Sequence, residues 1–321
     1  MKKLMVIAFG AALALTACVN NEMVDDAAPK EVSFKSFNLG ESTRADFEGT
    51  SFMVYAQFSN NGLGTDYINF WGNAAKEITK QTVDGNDVWK VNETTKYYWP
   101  KAGAVSFWGY YPATQANVSF DNVNGVKVAN VTAAQAAELM LADPTQSDFL
   151  TANTVPMVFK HAGAQVIFRF ANEDYSAVEK QGFELTINSV SISNVMPQGN
   201  YQWDSWSGWS GDKVTLSNTT ATDITNTTIG TTDVYTFNVV PQPLDAAGAG
   251  KVITIAYTVY DKFADYSYNA TATLDATEWV KNTKHYYNVT FNFTVGEEIK
   301  FAPSVTEWST PAAEEDYDVV G

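Results

Sequence analysis

Phe52-Met53-Val54-Tyr55-Ala56-Gln57-Phe58 is the stretch on which the fold class turns. Phe52, Val54, Ala56 and Phe58 alternate with Met53, Tyr55 and Gln57. Successive side chains of a strand point to opposite faces of its sheet, so this period of two predicts a strand with one face on a core. The same rhythm holds at Val32, Phe34 and Ser36, which alternate with Ser33 and Lys35. Working outward, further strands are predicted at Ser106–Tyr110, Val166–Phe170, Phe183–Ser193, Val234–Val239, Val252–Tyr260, Tyr266–Leu274 and Tyr286–Val295. They are rich in β-branched and aromatic residues and are bounded by Gly, Asn, Asp and Pro. Asn124-Gly125, between Val123 and Val126, reads as a hairpin turn. One segment breaks the rhythm: Thr132 caps a short predicted helix running to Ala142, with Ala136, Leu139 and Met140 on one face and Pro144 beyond its end.

Many short strands at this spacing predict an all-β chain of antiparallel sandwiches. The 321 residues suffice for about two such domains at roughly 100–200 residues each. The polar stretch Asp143–Thr154 is the expected division, giving an N-terminal sandwich over 45–152 that contains the helix and a C-terminal one over 153–321. Thirty-six acidic against twenty basic residues leave a net charge of −16, so the basic footprint that nucleic-acid binding needs is missing. One cysteine rules out a disulfide framework, and two histidines offer few soft metal ligands.

The N-terminus carries an export signal. Lys2 and Lys3 precede an apolar run from Leu4 to Leu15, which is too short for a hydrocarbon core needing about 20 helical residues. It ends in Leu15-Thr16-Ala17-Cys18, which resembles a bacterial lipobox. In such signals the peptidase cuts before the cysteine, here between Ala17 and Cys18, and the thiol carries diacylglycerol. Residues 1–17 are then a lipoprotein signal peptide, and the chain's one cysteine is the lipid site. Each buried methylene of the acyl chains contributes about 0.8 kcal/mol, which holds the chain to the membrane without a spanning helix. Residues 19–30, with Asp25 and Asp26, read as a solvated tether.

Catalytic patterns are missing. His161 and His285 have no second histidine nearby and read as structural. Asp84-Gly85-Asn86-Asp87 hints at a calcium loop, but Val88 stands where a third ligand belongs, so a turn is expected. No cofactor and no metal is expected. An enzymatic reading would rest only on the abundance of carboxylates. The cluster Tyr201, Trp203, Trp206 and Trp209 has two readings: exposed indoles stacking on sugars, or alternate residues of a hairpin plugging the end of a sandwich.

A series of ordered motifs runs along the chain. Thr43-Arg44-Ala45 comes first, then Tyr97-Tyr98-Trp99-Pro100 with Phe107 to Pro112, then Leu139 to Ala142. Phe159-Lys160-His161-Ala162 with Ala164-Gln165-Val166 follows, and next Val190 to Val195 with Gly199-Asn200-Tyr201. Val240-Pro241-Gln242, Trp279 with Tyr286 and Tyr287, and Val305-Thr306-Glu307-Trp308 complete it. Their order along the chain is more specific than any single member, and the series resembles the fimbrillins, lipoprotein pilins of type V pili in certain Gram-negative anaerobes.

The resemblance implies two tandem transthyretin-like sandwiches and an assembly mechanism. An outer-membrane lipoprotein precursor reaches the cell surface, and an Arg-specific protease cuts after an arginine preceding the first domain, here between Arg44 and Ala45. Residues 18–44 would then form a lipidated tether and a removable first strand, Glu31–Phe37, with Val32, Phe34 and Phe37 as its apolar residues. Loss of that strand from a sheet edge uncovers a template for another strand. The donor would be the C-terminal segment of a neighbouring subunit, with Ile299, Phe301, Val305 and Trp308 as candidates, and Tyr317, Val319 and Val320 in the final tail. A head-to-tail contact of this kind does not close on itself and builds a filament. The expected function is a stalk, tip or accessory subunit of a surface fimbria. Its partners would be other fimbrial subunits, the outer membrane through the lipid, and host or microbial surfaces. The alternative is a non-polymerising surface lipoprotein that binds glycans through Trp203, Trp206 and Trp209.

Overall fold

A computed structural model describes residues 29–38, 45–46, 49–60, 67–83, 86–142, 144–148, 154–172, 182, 184–202, 204–225, 234–244, 250–260, 262–274, 278–291 and 300–307. Among these, strands dominate and one short helix interrupts them, so the chain is all-β. The strands of the N-terminal part are β1 (Phe34–Asn38), β2 (Ala45–Asp46), β3 (Ser51–Ser59), β4 (Ile68–Asn69), β5 (Lys76–Val83), β6 (Asn86–Val91), β7 (Ala104–Tyr111), β8 (Val118–Asp121), β9 (Gly125–Thr132), β10 (Met140–Ala142), β11 (Thr145–Ser147) and β12 (Val155–His161). Helix α1 (Ala133–Glu138) lies between β9 and β10.

Where the sequence predicts an open sandwich for this part, seven strands close into a ring. Pairing runs β7-β10-β12-β1-β6-β5-β3 and returns from β3 to β7. β3 makes the closure possible because it is long: Ser51–Val54 pair with β5, while Met53–Ser59 pair with β7. Inside the ring lie Phe34, Phe52, Val54, Ile78, Phe107, Met157 and Phe159 with Trp71, Trp89 and Trp99. β12 belongs to this ring, parallel to β1 and antiparallel to β10. Its hydrogen bonds therefore place residues 155–161 with the N-terminal strands, beyond the expected division at 152/153, and the changeover falls at Ala162-Gly163.

The helix is capped as its sequence predicts. The Thr132 hydroxyl accepts from the Gln135 N–H at 3.4 Å, and the Gln135 side chain accepts from the Thr132 N–H at 3.0 Å. It stops at Glu138 rather than running to Ala142, because Met140–Ala142 pair with β12 and β7 as a strand. Gly163 lies against it: a Cβ there would stand 2.4 Å from the Ala136 carbonyl oxygen.

The C-terminal part comprises β13 (Ala164–Asn172), β14 (Glu184–Val195), β15 (Gln198–Gln202), β16 (Ser205–Ser210), β17 (Val214–Asn218), β18 (Thr222–Asp223), β19 (Tyr235–Val239), β20 (Val252–Tyr260), β21 (Asp265–Thr273), β22 (Thr283–Phe291) and β23 (Lys300–Glu307). Sheet β19-β13-β22-β23 and sheet β17-β14-β20-β21 share one core, in which Phe168, Phe170 and Val289 meet Leu185, Ile187, Ile253 and Ile255. A further sheet, β16-β15-β9-β8, joins the two parts, with β15 of the C-terminal part paired to β9 of the N-terminal part. Its apolar face carries a third cluster with Trp108, Val128, Leu139, Tyr201 and Val240.

Candidate functional site

Residues 30–38 thread between neighbours on both sides. The Val32 N–H donates to the Tyr97 carbonyl at 2.9 Å, and the Trp99 N–H donates to the Lys30 carbonyl at 2.9 Å. On the other side the Val155 N–H donates to the Ser33 carbonyl at 2.8 Å, and β1 continues in parallel register from Phe34 opposite Val155 to Asn38 opposite Phe159. Phe34 also pairs with Trp89 of β6. The segment is thus interior to the ring, not the edge of an open sheet. Without it, β12 and β6 would each lose the strand that joins them.

Alternation sends Val32 and Phe34 inward, at 2% and 1% exposure. The Phe34 ring lies 5.4 Å from Phe107 and 6.3 Å from both Phe52 and Trp71. Among the described residues Ser36, the next inward position, buries its hydroxyl without a hydrogen-bond partner, and the indole N–H groups of Trp71 and Trp99 in the same core also have none. An unpaired buried polar group costs about 1–3 kcal/mol, so the fit of this strand is imperfect.

Outward, Glu31 accepts from the Lys90 ammonium at 2.9 Å and stands 4.0 Å from that of Lys96. The neighbouring Glu93 is engaged elsewhere, with Lys76 at 2.7 Å and the Tyr97 hydroxyl at 3.1 Å, and the Lys76 hydrogen bond holds its carboxyl below the usual range. A cleft of about 280 Å³ opens beside Glu31, Val32, Lys90, Val91 and Tyr97.

Other expected site residues are spread apart. Ala17, Cys18, Arg44, Trp203, Ile299 and Trp308 lie outside the described residues. Ala45 is placed in β2, paired with Asn38, so the chain returns beside β1 directly after the Thr43-Arg44-Ala45 motif. Phe37 lies on β1, and Phe301 and Val305 lie on β23, which pairs antiparallel with β22. Trp206 and Trp209 pack on the third cluster. The Trp206 indole N–H donates to the Ala162 carbonyl at 2.8 Å, where the chain passes from one part to the other, and that of Trp209 donates to the Pro241 carbonyl at 2.9 Å within the C-terminal part.

Burial pushes both histidines down to about 4, and the Val280 N–H donates to His285 Nε2 at 2.9 Å. Among the described residues no group of three or more His, Cys, Asp or Glu could hold a metal ion, and no helix is long and apolar enough to cross a membrane. The Glu31–Lys90 pair escapes a sequence reading because its partners are 59 residues apart and share no local pattern.

A model of the fimbrillin-like family matches residues 43–308. The chain belongs to that family. Among solved structures, a fimbrial protein of Bacteroides vulgatus is 15% identical to this fimbrillin-like chain, with a TM-score of 0.55 over 86% of this chain and 99% of the other. A proposed cell adhesion protein of Bacteroides uniformis is 18% identical, with a TM-score of 0.46 over 87% and 98%. At such identities the likeness to the Bacteroides vulgatus protein is one of fold. A search among curated proteins gives no match.

Proposed function

We propose that this fimbrillin-like chain is a stalk or tip/accessory subunit of a cell-surface fimbria that supports adhesion, and that it assembles by donor-strand exchange after cleavage between Arg44 and Ala45. The family match supports a fimbrial or adhesion role. On this reading the precursor is exported, lipidated at Cys18 and held at the outer membrane until cleavage, and the two-sheet C-terminal part is the transthyretin-like domain that membership implies.

The observation that carries the proposal is the near-complete burial of Val32 and Phe34 in a ring that their own segment closes. Cutting after Arg44 makes everything up to β1 a separate piece, held only by non-covalent contacts. Its departure leaves an apolar slot between two strands whose N–H and C=O groups have lost partners, a template for another strand. Burying side chains like Val32 and Phe34 contributes about 1.5–3 kcal/mol each, and each new backbone bond about 0.5–1.5 kcal/mol, so refilling the slot is strongly favoured. The strand would come from the C-terminal region of a second copy. Among the described residues β23 has β22 as its one neighbour and would have to leave it to donate, whereas the tail beyond Glu307 carries its own apolar residues at Tyr317, Val319 and Val320.

The glycan-binding alternative has no specific observation in its favour, since Trp206 and Trp209 direct their N–H groups at backbone carbonyls. The test is to treat the full chain and its Arg44→Ala variant with an Arg-specific protease and compare unboiled with boiled samples on a gel. The parent is expected to give a ladder that boiling removes, with mature chains beginning at Ala45 by mass spectrometry. An undiminished ladder from Arg44→Ala would overturn the proposal.

A further inference from the structure

We propose that Lys90 and Lys96 form a carboxylate-reading clamp at the mouth of the slot, and that the clamp selects Asp316-Tyr317-Asp318-Val319 of a second copy as the incoming strand. This rests on the strand-exchange reading above and adds to it the register and the chemistry of the donor.

In the uncleaved chain Glu31 sits between the two ammonium groups, at 2.9 Å and 4.0 Å. When the segment leaves, that carboxylate leaves with it. Glu93, the other acid on the cleft, is committed to Lys76 and Tyr97 and does not replace it. Two lysines then face an apolar slot without a counter-ion. The departing segment shows what fits: an outward acid at 31, inward apolar residues at 32 and 34, and a neutral outward residue at 33.

Laying the chain's C-terminal residues over this pattern leaves two registers that meet its acid and its apolar positions. With Asp316 at position 31, Tyr317 falls at 32 and Val319 at 34, so the acid and both apolar positions are met. With Asp318 at 31, position 34 receives Gly321; with Glu314 there, position 32 receives Glu315. A β23 register with Phe301 at 32 sets Lys300 against Lys90 and Lys96 and puts Pro303 at 34. Glu298 at 31 also brings Ile299 to 32 and Phe301 to 34, but it sets Lys300 at 33 beside the two lysines and uses residues that β23 already pairs with Thr290 and Val289. The first register, with a second acid, Asp318, at 33, meets the acid and both apolar positions with residues beyond β23. Val-Phe becomes Tyr-Val, which nearly conserves volume.

A second observation points the same way. The buried indole N–H groups of Trp71 and Trp99, at 7% and 4% exposure, have no acceptor among the described residues in the core that Val32 and Phe34 fill. Tyr317 would carry a phenolic oxygen into that core. The register also places Gly321 where Ser36 now buries an unpaired hydroxyl, removing that mismatch. The native segment is an adequate plug, and the tail is the better-matched occupant.

The test compares four full-length chains after complete cleavage at Arg44: the parent, K90E/K96E, D316K, and the combined K90E/K96E/D316K. Charges at the rim of a contact act mainly on the association rate, so the first two variants are expected to form the gel ladder about tenfold more slowly than the parent. The combined chain should return close to the parent rate, a rescue that a merely structural role for the lysines would not give. Near-ultraviolet circular dichroism before cleavage checks folding, and K90Q/K96Q serves if the charge reversal unfolds the ring. Equal rates from all chains, or slowing by K90E/K96E that D316K fails to rescue, would overturn the clamp while leaving strand exchange standing. Absence of any ladder from the fully cleaved parent would overturn strand exchange itself, and the clamp with it.

Discussion

His285 lies on β22 at 2% exposure, with its Nε2 accepting from the Val280 N–H. That bond fixes the ring as neutral, with its proton on Nδ1. Burial pushes the group down to about 4, against about 6.5 for an unfolded chain. Between these values the unfolded chain takes up a proton that the folded one refuses, so stability falls as pH drops from about 6.5 to 4 and is undiminished above that window. At about 1.4 kcal/mol per unit, the whole window corresponds to up to about 3 kcal/mol. His161 is pushed the same way, first by burial and further by Lys284. The expected outcome is that urea midpoints fall from pH 7 to pH 4.5, and that His285→Gln, whose amide oxygen can still accept from Val280, gives a shallower fall. Equal slopes would show that this histidine is not protonated on unfolding. A structural role for both histidines is what their isolation in the sequence predicts, whereas the cause, contacts closed by residues far along the chain, was not legible there.

At the scale of the element, β1 is a stave of a closed ring. Phe34 is its anchor, touching Phe52, Trp71 and Phe107 from β3, the loop after β4, and β7. Phe34→Ala is therefore expected to cost about 3–5 kcal/mol in the uncleaved chain, seen as a lower urea midpoint, because a rigid ring cannot collapse around the void. After cleavage the same change should speed loss of the leader, measured by its release on gel filtration; an unaltered midpoint would mean the slot can repack. That such a strand exists was legible, since Val32-Ser33-Phe34 alternates in a way that only an extended segment can use. So were β7, β13, β14, β20 and β22, which overlap the predicted stretches, β20 coinciding with Val252–Tyr260 and β7 and β13 running past theirs at both ends, and the Thr132 cap. The neighbours of each strand were not. Period two assigns faces and leaves partners open, because backbone hydrogen bonds carry no side-chain signature. Hence an open edge was expected where a closed ring stands, and the short β10 was absorbed into the helix before it.

Across the whole molecule, the sheet β16-β15-β9-β8 decides whether the two parts behave as one body. β15 and β9 align Gln198 with Thr132 and, past a register shift between Gly199 and Tyr201, Tyr201 with Val128, so a ladder spans the junction. Trp206 and Trp209 clamp it by donating to Ala162, at the chain's crossing point, and to Pro241, just after β19. Gly199 permits their approach: a Cβ there would already stand 3.2 Å from both indoles. On the proposed strand exchange, with the slot in one part and the donated tail following the other, load along a filament would pass through this seam. Covalent continuity at Ala162-Gly163 alone would let the parts hinge. The parent is accordingly expected to unfold in a single calorimetric transition. The double variant Trp206→Ala/Trp209→Ala removes two large side chains, each costing about 3–5 kcal/mol if its void stays open, along with the hydrogen bonds to Ala162 and Pro241. Because neither tryptophan belongs to the ring core or to the C-terminal core, the loss should fall on the coupling and split the transition into two, with the core strands of each part retained. A single transition at an unchanged midpoint would show instead that the β9–β15 ladder alone holds the parts together.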